Sequence, residues 1–155
     1  MDTLQEELRS YEDEKPFLAD PFLDWAEGEG VPIFEDFGIH LPNVAVKKWD
    51  RFDCNGGFAH LKGRGDWLSV FVLELEPGGS TSPQQHMFEE VVYYLSGQGS
   101  TQVETADGTK HSFEWGQGSL FALPLNAKYQ HFNGSGQEAA RLSSTNNMPM
   151  IMNVF

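Results

Sequence analysis

Residues 84–97 read Gln84-Gln85-His86-Met87-Phe88-Glu89-Glu90-Val91-Val92-Tyr93-Tyr94-Leu95-Ser96-Gly97, preceded by the turn Pro77-Gly78-Gly79. In an extended chain alternate side chains share a face, so Gln84 and His86 point the same way. Glu90, four residues on across a bend, opens the next strand. If that face lines a barrel, an amide oxygen, an imidazole and a carboxylate converge on one point. Such a donor set suits Fe(II), Mn(II), Ni(II) or Zn(II) rather than a thiolate-selected metal.

A second stretch runs Gly118-Ser119-Leu120-Phe121-Ala122-Leu123-Pro124-Leu125-Asn126-Ala127-Lys128-Tyr129-Gln130-His131-Phe132-Asn133. A strand meets a turn at Pro124-Leu125-Asn126, and a new strand follows. Tyr129 and His131 share a face by the two-residue period. His131 is therefore a candidate for a further imidazole in the same cavity.

The period of two extends well beyond these motifs. From about residue 43 the pattern predicts strands at 44–49, 57–61, 67–76, 90–97, 100–105, 111–115, 119–123, 129–132, 139–144 and 150–154. They are short, aromatic and β-branched, and separated by Gly, Pro and Asn. Asp107-Gly108 between two alternating runs is a hairpin signal. No helix-length segment intervenes, so the chain is expected to be all-β, an antiparallel sandwich or barrel. Before residue 43 the character differs. Thr3 and Glu6 form a capping-box pattern ahead of Leu4, Leu8 and Tyr11. Asp20 and Pro21 then open a second short helix carrying Phe22, Leu23, Trp25 and Ala26, which Gly28 and Gly30 stop. The expected organisation is an acidic arm with short helices over 1–42 and a β-barrel domain over 43–155.

The two motifs together resemble the cupin superfamily. Its first motif reads G, five residues, H-x-H, three or four residues, E, six residues, G; Gly78, Gln84-x-His86, Glu90 and Gly97 keep that spacing. The second reads G, five residues, P-x-G, two residues, H, three residues, N; Gly118, Pro124-x-Asn126, Tyr129 and Asn133 follow it. The resemblance covers roughly residues 67–145 and implies a double-stranded β-helix, or jelly-roll, barrel. The segments Pro21-Phe22-Leu23-Asp24-Trp25 and Ser144-Thr145-Asn146-Asn147-Met148-Pro149 resemble one half of bacterial two-cupin proteins. Metal-binding cupins use the two histidines of H-x-H, the glutamate and the histidine of the second motif. In this chain those places hold Gln84, His86, Glu90 and Tyr129, with His131 two residues on as a replacement for the last. The resemblance implies a divalent-metal enzyme of dioxygenase, isomerase or lyase type, acting on a small oxygen-containing substrate with Tyr129 as general acid or base. Loss of two ligand histidines implies the alternative, a metal-free small-molecule-binding or structural module, or half of a two-cupin assembly.

Plainer readings stand beside each candidate. His86 and Glu90 can be a buried hydrogen-bonded pair, His131 a group that orients Glu90 or the substrate, and Tyr129 a core aromatic with a wet hydroxyl. Gln84 can simply cap the preceding turn. Cys54 sits in a turn with only Arg51 as a basic neighbour, which makes no case for a reactive thiolate.

Charge excludes other classes. The net charge is −13, and residues 1–36 hold twelve acids against Arg9 and Lys15. Clustered Lys and Arg, which nucleic acids and anionic membranes require, are missing. The first thirty residues are acidic, without the basic and apolar regions of a secretory leader, so a cytoplasmic protein is expected. Phe17, Leu18, Phe22, Leu23 and Trp25 are apolar enough to want cover, and exchange of the arm between two copies predicts a homodimer.

Overall fold

The computed structural model describes residues 20–63 and 67–154. Helix α1 (Pro21–Gly28) begins where its signals place it: the Asp20 side chain accepts the Leu23 amide at 3.0 Å, and Pro21 fills the first turn. The expected helix around Thr3 and Glu6, and the apolar Phe17 and Leu18, lie outside the described residues. Phe22 and Ala26 on α1 are fully buried and belong to the main core. Phe22 meets Phe58 edge-on with ring centroids 6.3 Å apart. Asp20 also accepts the Asn153 side-chain amide at 3.2 Å. Asp20→Ala should therefore lower stability by about 1 kcal/mol, the usual worth of an N-cap, read as a urea midpoint shift at constant slope.

Eleven strands follow among the described residues. They are β1 (Ile33–Asp36), β2 (Lys47–Trp49), β3 (Cys54–Leu61), β4 (Ser69–Leu75), β5 (Gln84–Gln85), β6 (Glu90–Ser96), β7 (Gln98–Glu104), β8 (Lys110–Gly116), β9 (Leu120–Leu123), β10 (Lys128–Asn133) and β11 (Ala140–Asn146). One sheet has the order β1-β3-β4-β11-β6-β9, with β2 also on β3; the other is β5-β10-β7-β8. All pairings are antiparallel except β1 on β3. Phe71, Leu73, Val92 and Tyr94 from the first sheet join Val103, Trp115 and Tyr129 from the second in one core. The chain is all-β with a small helical part, as expected. No helix among the described residues is long and apolar enough to cross a membrane.

Two motif positions are explained by backbone geometry. Gly97 has φ 91°, and a Cβ there would lie 2.5 Å from the Ala140 Cβ, so only glycine fits. Asn126 stands where the second motif has glycine and takes φ 60°, a conformation asparagine tolerates better than most residues.

One expected strand is wrong. Residues 150–154 belong to helix α2 (Met148–Val154), not to a strand. The Asn146 side chain accepts the Met148 amide at 3.2 Å, Pro149 sits in the first turn, and the Ile151 amide bonds back to the Asn147 carbonyl. These are helix-start features, and they outweigh the two-residue stripe of Met148, Met150 and Met152. Strands β1 and β5 were not foreseen. The first is four residues after a proline, paired in parallel; the second is two residues long.

Candidate functional site

The core polar groups meet where β6, β10 and β11 face one another. Glu90 is the first residue of β6, paired with Asn146 on β11 and Leu123 on β9. It is 4% exposed and the only buried carboxylate among the described residues, with no Lys or Arg buried beside it. Ser144 donates its hydroxyl proton to Glu90 Oε2. The direction of that bond is fixed from behind. The Met148 amide and the Ser69 hydroxyl, the latter at 2.6 Å, both donate to Asn146 Oδ1. Asn146 Nδ2 must then donate to Ser144 Oγ, at 3.0 Å, which leaves the Ser144 proton for Glu90. Glu90 Oε1 is buried without a hydrogen-bond partner, 3.4 Å from His86 Nε2. Burial pushes the Glu90 pKa up, but the Ser144 hydrogen bond and the nearness of the His86 ring outweigh it, and the carboxyl sits below its ordinary range.

His86 lies in the bend between β5 and β6, its ring stacked on Phe88 at 3.5 Å. Its Nδ1 is 3.0 Å from the Phe88 carbonyl, which can only accept, so Nδ1 carries a proton. Its Nε2 is 3.0 Å from the Tyr129 hydroxyl and 3.4 Å from Glu90 Oε1; a neutral ring accepts the Tyr129 proton there, and a protonated ring donates. Burial and the Glu90 charge push the Tyr129 phenol far above its ordinary value. Tyr129 therefore keeps its phenolic proton, with its hydroxyl held against His86.

His131 faces the same interior, with its ring centroid 5.4 Å from that of Tyr129. It is directly opposite Thr101 on β7, and its Nδ1 is 2.7 Å from Thr101 Oγ1. The Trp115 indole donates to the same hydroxyl at 3.0 Å. An indole N–H can only donate, so Thr101 Oγ1 accepts from Trp115, and its own proton can go to His131 Nδ1 or to the Tyr94 oxygen beside it. Burial pushes the His131 pKa down to about 4, so the ring is neutral.

Gln84 is not brought to this cluster. Its amide is turned to the Arg51 carbonyl at 3.0 Å and the Ser82 hydroxyl at 2.9 Å, capping the preceding turn. Cys54 is buried, and burial pushes its thiol up to about 12, so it is inert. Sequence reading passed over Ser144, Asn146, Thr101 and Ser69. The one available signal was polar Ser144 and Asn146 on the same face of β11 as Leu142, where the core predicts apolar residues.

A family model described as Cupin matches residues 61–151. The chain belongs to the cupin family. Solved cupin-fold structures agree at the level of the fold. An oxalate decarboxylase from Lactobacillus farciminis, in a formate complex, is 17% identical with a TM-score of 0.60 over 72% of this chain and 33% of its own. Peruvianin-I, a cysteine peptidase from Thevetia peruviana latex, is 18% identical with a TM-score of 0.61, covering 73% of this chain and 72% of its own. The cupin domain of Schizosaccharomyces pombe Cnp3 is 20% identical with a TM-score of 0.57, covering 76% and 72%. This chain thus spans about a third of the length of the decarboxylase. No curated protein sequence matches it.

The cupin metal pattern can be tested against these donors. His86 is oriented as a ligating histidine is, with Nδ1–H on a carbonyl and Nε2 inward, and Glu90 Oε1 lies beside it. The other two places fail: Gln84 is turned away and Tyr129 is a protonated phenol. His131 does not complete the set, because it joins His86 and Glu90 in no metal-holding group. Among the described residues no three His, Cys, Asp or Glu side chains form a metal-holding group. Two strong donors do not fit a resident ion that wants four.

Proposed function

We propose that this cupin domain binds a small molecule in its interior at Glu90, with His86, Tyr129 and His131 as orienting groups and without a resident metal ion. The observation that carries the reading is Glu90 itself. It is a buried carboxylate with one oxygen held by Ser144 and the other left without a hydrogen-bond partner. A buried acceptor in that state costs about 1–3 kcal/mol, more when charged, and a ligand that donates to it recovers that energy. Tyr129 and Ser144 fix the two groups on either side, so the recognising atoms are held before the ligand arrives. Phe121 and Trp115 lend the interior apolar walls, which favours a small ligand with an apolar body.

The second reading is the divalent-metal dioxygenase, isomerase or lyase. It is favoured by the inward lone pair of His86 next to Glu90 Oε1. Metal analysis of protein purified without chelators or a metal-affinity step separates the two. The binding reading expects well under one ion of Fe, Mn, Ni or Zn per chain. About one ion per chain, lost in both His86→Ala and Glu90→Ala, would replace it with the metal enzyme.

A further inference from the structure

We propose that two copies of this chain pack face to face through the outer side of the large sheet, over Val91, Tyr93, Leu120 and Ala122. Directly opposed residues of neighbouring strands share a face, so the register lays two rows across that side. One row is Val72, Ser143, Tyr93, Leu120 and the other Val70, Thr145, Val91, Ala122, each running from β4 through β11 and β6 to β9. At the β4 end the chain covers the rows itself. Val44 joins Val72 and Ala59 in a second small core, and Ile39, Leu41, Val46 and Val70 pack against it. Arg141 holds that cover in place, donating from one guanidinium nitrogen to the carbonyls of Leu41, Pro42 and Val44. Val72 is fully buried there. At the β9 end the same rows are bare: Val91 and Tyr93 are each 42% exposed and Leu120 67%, with Ala122 and Thr145 exposed between them.

Charge decides what fits this bare half. The chain carries 23 acids against 10 bases, so most of its surface repels a second copy. The bare rows hold no charged residue. Glu89 stands ahead of β6 at one end, and at the other Arg141 is already paired with Glu74 at 3.3 Å. A basic partner would find no acid in the rows to pair with. A copy of the same face meets no like charge and buries no unpaired one. The exposed apolar residues of β1 differ in this respect. Glu35 and Asp36 stand between Phe34 and Phe37, and contact between two copies there would bring four carboxylates together. About a two-fold axis each row meets its own copy, stacked as two sheets about 10 Å apart. Tyr93 is then buried near the centre, where interfaces are enriched in aromatic residues.

Sedimentation equilibrium of the full chain at micromolar concentrations tests this assignment. The expected result is twice the chain mass, with an association that tightens as salt is raised, because salt screens the repulsion between two acidic copies and leaves the apolar contact alone. Leu120→Lys on one row and Thr145→Lys on the other should each weaken the association at least tenfold. Each lysine lowers the net negative charge, which by itself would favour association, so a loss reports the face and not general repulsion. Both positions are exposed, and surface substitutions of this kind change stability by about 0.5 kcal/mol or less; unchanged melting by circular dichroism checks that the fold is kept. Phe34→Lys, exposed on β1, should leave the dimer as it is. A monomer at every concentration, a dimer that raised salt dissociates, or one that survives both row substitutions would overturn the assignment. A dimer lost only in Phe34→Lys would overturn it too and move the contact to β1.

Discussion

Trp49→Ala is expected to lower stability by about 4 kcal/mol, at the upper end of what single core truncations cost. Trp49 ends β2 and is 1% exposed. Its ring lies 4.6 Å from Phe52, 5.0 Å from Phe58 and 5.4 Å from Phe71 between centroids, and its indole donates to Glu29 at 3.3 Å. The space it fills is made by Gly56, where a Cβ would meet the Trp49 ring at 2.5 Å. Alanine leaves a hole between three elements that cannot collapse, because β3 and β4 are held in register from Asn55↔Glu74 to Phe58↔Phe71. Small single domains have total stabilities of about 5–15 kcal/mol. At about 2–4 °C per kcal/mol for a domain of this size, the melting point should fall by roughly 10–15 °C. Thermal and urea unfolding followed by circular dichroism measure it. A fall of less than about 3 °C would mean that the aromatic cluster is not a keystone of the fold.

The same cluster shows which parts of the fold were legible. Strands such as β6 and β10 announce themselves because one face is apolar and the other polar, and the strands found there match the alternation of Val92, Tyr94 and Tyr129, with Val91 and Tyr93 turned out. The C-terminal helix was read as a strand because three methionines at a spacing of two mimic that alternation. What decides its conformation is Asn146 capping Met148, a side-chain contact that periodicity does not record. Strand β1 escaped because a parallel pairing with β3 depends on residues 25 positions away, from Ile33↔Phe58 onward.

At the site, motif spacing pointed to His86, Glu90, Tyr129 and His131, and the structure puts them near one another, the last three buried and His86 part-buried. Their roles were not legible. Spacing places Gln84 on the same face as His86, yet Ser82 and the Arg51 carbonyl take its amide, and Arg51 lies 33 residues back. The neutral state of His131 depends on its burial under neighbours such as Thr101 opposite it on β7 and Trp115 from β8, which only the sheet register brings together. Donor direction, more than residue type, separates a ligand from an orienting group here.

That neutral histidine makes stability fall in mild acid. In the unfolded chain His131 takes up a proton near the ordinary histidine value of about 6.5. In the folded protein burial holds it back to about 4. Between these values the unfolded state binds more protons than the folded one, so stability rises with pH across the window and is lost as pH falls from about 6.5 to about 4. The full difference is about 3 kcal/mol, since each unit is worth about 1.4. Glu90 acts in the same direction lower down: its lowered pKa gives stability that is present above the ordinary carboxylate value and lost as pH falls below it. The two windows are therefore separable. Urea unfolding at pH 7.5, 6.0 and 5.0 should show most of the loss above pH 4.5, before Glu90 contributes. His131→Gln removes the titrating ring while keeping a polar side chain opposite Thr101, and its stability should change far less across the same range. The other histidines titrate alike in both proteins, so the difference between the two curves reports His131 alone. Parallel curves would show that His131 takes its proton as readily in the folded interior as outside it, and burial would no longer explain a ring held neutral beside Glu90.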